Sequence, residues 1–137
     1  MFTLRIHENA GSDLEALFDG AEGDKGIKAA GRIVALLEEI ENNPALLDSL
    51  TDHGYGANRD ESYHVSKWQK HWRQGRDLWR LKAWDLETKG IQYRVPYAYL
   101  PGRQEYHVLG VICRQKLDYD DDDNPITRRI LDSYEDL

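Results

Sequence analysis

Four cations and one tyrosine in the second half of the chain have the types and spacing to hold a phosphate. Arg80 and Lys82 stand two residues apart in Leu78-Trp79-Arg80-Leu81-Lys82. On a strand, that spacing puts both side chains on one face. Arg94 lies in the next alternating segment, Arg114 closes the one after it, and Tyr119 follows shortly beyond. Like charges brought together are costly unless an anion neutralises them. A phosphodiester does so, and arginine adds planar, bidentate donors. The plainer alternative is a solvated strand face whose aliphatic stems cover the core.

A second group lies just upstream. Lys67, Lys70, Arg73 and Arg76 interleave with Trp68, Trp72, His64 and His71. Cations alternating with stacking rings suit RNA, and Lys67, Trp68, Lys70, Arg73 and Arg76 are the candidate RNA contacts. Against this stands an amphipathic segment whose tryptophans pack on the core, the usual fate of that residue. Other chemistries lack their signatures. The chain has no nucleotide-binding glycine loop, no Gly-x-Ser-x-Gly elbow and no paired cysteines. The five histidines are scattered without a ligand spacing, so neither a metal nor a cofactor is expected. Cys113, in an apolar strand, reads as a buried structural thiol.

The elements that must position these residues are legible in turn. Phe2, Leu4 and Ile6 alternate with polar neighbours, the pattern of a half-buried strand. Ser12-Asp13-Leu14-Glu15 has capping-box spacing and predicts a short helix to about Phe18. Apolar residues from Ile27 to Ile40 recur at threes and fours, which predicts a helix over 25–42 ended by Asn42-Asn43-Pro44. Leu46, Leu47 and Leu50 add a turn or two, and 51–61 reads as a loop. The structure of 65–73 is left open; as a helix it stacks Trp68 over Trp72.

Three strands follow: 78–84, the period-2 set Ile91, Tyr93, Val95, Tyr97 and Tyr99, and the apolar run Val108 to Cys113. Short connections, including Pro101-Gly102, make an antiparallel meander the natural topology. Pro96 has no ladder donor, so its nitrogen must face an edge or a bulge. Asn124-Pro125 opens a last helix with Ile126, Ile130, Tyr134 and Leu137 on one face, and Asp120 to Asp123 precede its positive end. The expected core includes Ile27, Val34, Leu37, Leu81, Tyr93, Val95, Leu109 and Val111.

The whole 137 residues fit one α+β domain. No apolar run reaches a bilayer's thickness, the N-terminus alternates unlike a signal peptide, and a lone cysteine forms no internal disulfide, so a cytoplasmic protein with no membrane partner is expected. The net charge of -7 argues against nucleic acid, but its distribution does not. Residues 1–61 carry -8, residues 62–116 carry +7 and residues 117–137 carry -6. A basic segment is held between acidic ones.

Taken in order, Leu78 to Lys82, then Tyr93-Arg94-Val95-Pro96-Tyr97, then Val108 to Arg114 resemble the central sheet of RelE/ParE-like toxins. The flanking strand, helical pair and helical tail agree, and about 51–76 reads as an insertion. The resemblance implies an N-terminal strand, a helical pair, an antiparallel meander and a C-terminal helix. It also implies a toxin of a type II toxin–antitoxin module, partnered by a cognate antitoxin protein. The implied activity is ribosome-dependent, metal-independent cleavage of mRNA that inhibits translation. Carried over by position, the catalytic set is Arg80, Lys82, Arg94, Arg114 and Tyr119. A ribose 2′-OH attacks the neighbouring phosphate while Arg94 and Arg114 stabilise the growing charge. Lys82 or Tyr119 handles protons, although reference values near ~10 make either a poor base; Asp118 is another candidate. Two alternatives stand beside this one: a ParE-like gyrase inhibitor that does not need these cations, and a non-catalytic binding module, favoured by the pI of about 5.2.

Overall fold

The computed structural model describes residues 2–137. Strand β1 (Thr3–Ile6) leads into helices α1 (Glu8–Phe18), α2 (Gly23–Glu41) and the short α3 (Pro44–Ser49). Strand β2 (Tyr63–Lys67) and one-turn helix α4 (Gln69–Arg73) follow, then β3 (Leu78–Ala83) and one-turn helix α5 (Trp84–Thr88). Strands β4 (Tyr93–Leu100), β5 (Glu105–Val108) and β6 (Ile112–Cys113), a 3-10 turn at Arg114–Lys116, and helix α6 (Pro125–Glu135) complete the chain. The α+β class is as expected.

The sheet runs β1-β5-β4-β3-β2, with β6 also on β4. Strands β2 to β5 form the antiparallel meander, while β1 joins β5 in parallel. The segment read as an insertion thus supplies the fourth strand of that meander. Its signal is the alternation of Tyr63 and Val65 with His64 and Ser66.

Period-2 alternation divides the sheet into two faces. Tyr63, Val65, Trp79, Leu81, Ala83, Tyr93, Val95 and Tyr97 point into a core shared with Ala29, Ile33, Leu36 and Ile40 of α2. On the opposite face Leu78, Ala98, Leu109 and Ile112 pack beneath Ile130 and Leu131 of α6. Helix α6 covers one end of that face and leaves the other open. Its start is as expected: Asn124 Oδ1 accepts hydrogen bonds from the backbone N–H groups of Ile126 and Thr127 at 3.0 and 3.1 Å.

Several expectations need correction. Helix α1 begins at Glu8, because His7 Nδ1 accepts the Asn9 N–H at 3.1 Å; Ser12 and Glu15 lie inside the helix. The buried stripe of α2 is rotated from the expected one, leaving Ile27 40% exposed and Val34 half-buried. Leu37, Leu81, Tyr93, Val95, Leu109 and Val111 are buried as expected. The run Val108 to Cys113 is split into β5 and β6. Pro96 accounts for the split. Its carbonyl accepts the Leu109 N–H at 2.9 Å, so its nitrogen, on the same side, faces the interruption. Cys113 is half-buried, its thiol donating to Gln115 Oε1 at 2.7 Å. No helix among the described residues is long and apolar enough to cross a membrane.

Candidate functional site: a cationic cleft on the open sheet face

Where α6 stops covering the sheet, a cleft of about 240 Å³ opens. Strand β3 supplies Arg80 and Lys82, and β4 supplies Arg94. Arg114 and Tyr119 enter from the connection between β6 and α6. All five residues of the expected catalytic set therefore line one cavity. Two further lining residues, His64 and Ser66, come from β2. The ladder sets His64 against Lys82 and Ser66 against Arg80.

Each cation is held differently. Arg80 Nε donates to Ser66 Oγ at 2.9 Å, and its guanidinium lies 4.3 Å from the Tyr119 ring centroid. Arg114, just past β6, donates to the Leu117 carbonyl at 3.1 Å and lies 5.5 Å from the same ring. Arg94 donates to the Glu87 carboxylate and, at 3.1 Å, to its neighbour's carbonyl. The Lys82 ammonium lies 4.8 Å from the Trp84 ring, and the His64 imidazole stacks on that ring with centroids 5.5 Å apart.

Crowding shifts the protonation equilibria. Burial is the main cause that lowers the Lys82 pKa, reinforced by Arg94 and opposed by Glu87. Burial, followed by Lys82 and Arg80, lowers that of His64, which favours neutral imidazole. Burial raises the Tyr119 phenol, although Arg80, Arg94 and Arg114 pull it down. Its hydroxyl is buried without a hydrogen-bond partner of good geometry among the described residues. A phenol held above its ordinary range donates a hydrogen bond; it is a poor base. Asp118 does not line the cleft, and its carboxylate accepts the Asp120 N–H at 3.0 Å.

The expected RNA-contact group is dispersed. Trp68 is 1% exposed, its indole donates to the Tyr119 carbonyl at 3.1 Å, and its ring meets Tyr119 edge-on. It is a core residue, closed to a base and not stacked on the exposed Trp72. Lys70 pairs with Asp122 at 3.1 Å and Arg76 with Glu135 at 3.4 Å. Lys67 sits 3.7 Å from the Trp72 ring centroid, and Arg73 is exposed.

Sequence reading missed Ser66 and Glu87, and it grouped His64 with the upstream cations and rings instead of with this cleft. His64 and Ser66 needed β2 to be recognised; Glu87 needed α5 to turn it back toward Arg94. No family model, curated protein or solved structure matches the chain. Fold and site together define a small α+β domain whose sheet presents an uncovered, cation-lined cleft.

Proposed function

We propose that the chain is a RelE/ParE-like toxin whose cleft cuts mRNA on the ribosome, and that a cognate antitoxin restrains it. One observation carries this reading: Arg80, Lys82, Arg94, Arg114 and Tyr119, drawn from three separate parts of the chain, converge on one open cavity. Preorganised donors of that kind stabilise charge developing on a phosphate. Arg80 and Arg114 flank the phosphate, Tyr119 donates its hydroxyl, and Lys82 lies beside the reacting oxygens. The nucleophile is the substrate's own 2′-OH, which restricts the reaction to RNA.

The Arg94–Glu87 pair favours a second reading, a non-catalytic binding module, because one of the cations is already neutralised. Expression without antitoxin separates the possibilities. The nuclease reading requires translational arrest, with transcripts cut only when ribosomes are present and not when the attacking ribose is 2′-deoxy. Arrest of DNA replication with intact transcripts replaces it with the ParE-like gyrase reading. Normal growth with intact transcripts leaves the binding module.

A further inference from the structure

The reaction proposed above lacks a base. Tyr119 is held protonated, Asp118 lies outside the cleft, and the Lys82 ammonium is needed as the acid for the leaving oxygen. His64 has the position for that task. It lies directly across the β2–β3 ladder from Lys82 and lines the same cleft. Its ring is steadied by Trp84, at an interplanar angle of 7°. Its nitrogens make no hydrogen bond or ion pair to another described residue, so they are open to a ligand. We propose that His64 is the general base of this site, taking the 2′-hydroxyl proton while Lys82 protonates the leaving 5′-oxygen.

The step balances. The O2′–P bond forms as the P–O5′ bond breaks, and the 2′ proton moves to a nitrogen of His64. The 5′-oxygen leaves with a proton from the Lys82 ammonium. The products are a 2′,3′-cyclic phosphate and a 5′-hydroxyl. Imidazolium and amine then stand opposite each other on adjacent strands, and one proton transfer, direct or through water, restores both. The charged and titratable surroundings favour this assignment. Lys82 and Arg80 from β3, Arg94 from β4 and His53 from the preceding loop all disfavour the imidazolium, as burial does. The imidazole is therefore in its proton-accepting form at neutral pH.

This inference rests on the nuclease reading, and its test keeps the two apart. Single-turnover cleavage of ribosome-bound mRNA is followed against pH for the wild type, His64→Gln and His64→Ala. The wild-type rate is expected to rise from acid pH and level off at an apparent pKa below ~6.5. His64→Gln is expected to be ~10²–10⁴-fold slower and to lose that acid limb. Added imidazole is expected to restore part of the His64→Ala rate. Wild-type cleavage with an unchanged acid limb in His64→Gln overturns the base assignment alone. A slower His64→Gln with the same limb and no imidazole rescue of His64→Ala also overturns it, leaving a structural role. If His64→Ala does not fold, the His64→Gln profile decides. No cleavage by the wild type overturns the nuclease reading and this inference together.

Discussion

Arg94 and Glu87 form an ion pair in which both side chains are nearly withdrawn from water, at 11% and 9% exposure. Removing one partner strands the other. Arg94→Ala is therefore expected to destabilise the fold by about 3–5 kcal/mol. From sequence, Arg94 and Arg114 both appear as solvated strand residues that can be removed without loss of stability; for Arg94 the buried partner reverses that. Arg114 is exposed, and Arg114→Ala is expected to stay within about 0.5 kcal/mol of wild type. Urea denaturation of the two variants and of Arg94→Met/Glu87→Leu checks this, the paired replacement recovering most of the loss.

Arg114→Ala is accordingly the clean probe of phosphate stabilisation. Losing a transition-state donor lowers the rate by ~10²–10³. The expected result is that fall in cleavage rate with an unchanged denaturation midpoint. A wild-type rate removes Arg114 from the mechanism.

Trp68 links stability to the cleft. It is fully enclosed, and its indole N–H holds the backbone of Tyr119. Trp68→Ala is expected to cost about 3–5 kcal/mol, as for other deleted core aromatics. Trp68→Phe keeps most of the packing but frees the Tyr119 carbonyl. It should remain folded and cut RNA more slowly, which denaturation and single-turnover rates together will separate. Had Trp68 been a base-stacking platform, the main loss would be in RNA affinity.

Stability should decline on mild acidification. Burial is the largest cause lowering the His71 pKa, with Arg76 and Lys70 adding to it and Asp122 opposing. A group whose folded pKa lies below its unfolded value contributes stability that is complete above the unfolded value. The unfolded histidine titrates near ~6.5, so the unfolded chain takes up the proton first as pH falls below that point. His64 acts in the same direction. Denaturation midpoints are therefore expected to drop between about pH 7.5 and about pH 5.5. His71→Gln should flatten the decline and Asp122→Asn should steepen it.

The flanking cations should differ in their contribution to RNA affinity. Arg73 is exposed, whereas Lys70 is held by Asp122 and by the Asp120 carbonyl at 2.9 Å. Arg73→Ala is expected to reduce the slope of log affinity against log salt by roughly one unit. Lys70→Ala should change it less. Filter binding of a ribosome–mRNA complex over a salt series reads both.

The sequence made the cationic face of β3 and β4 legible because alternation alone assigns residues to the two sides of a strand. It also marked the long α2, whose apolar stripe persists for five turns even though its centre lies one position from where it was expected. Tertiary choices were harder to read. Trp68 and Trp72 carry the same side chain four residues apart, yet one is core and the other surface: Trp68 still pairs with β3 through its N–H to the Leu78 carbonyl, whereas Trp72 lies within α4. His64 was noticed among the upstream rings but not as a neighbour of Lys82, since its strand is short and bordered by glycine-rich loop and basic helix. Pro96 announced an irregularity, but only the pairing of β4 with two separate strands shows where it falls.

Strand β1 has a single neighbour, β5, with Thr3–Ile6 set beside Glu105–Val108. During synthesis, then, β1 waits for β5. Helices α1 and α2 can form early, but the edge of the sheet closes late, after some hundred intervening residues have left the ribosome. Arg114 and Tyr119 emerge later still. A nascent chain thus carries no assembled cleft until residues 114–119 have emerged, and the order of synthesis itself delays the moment at which the cations meet.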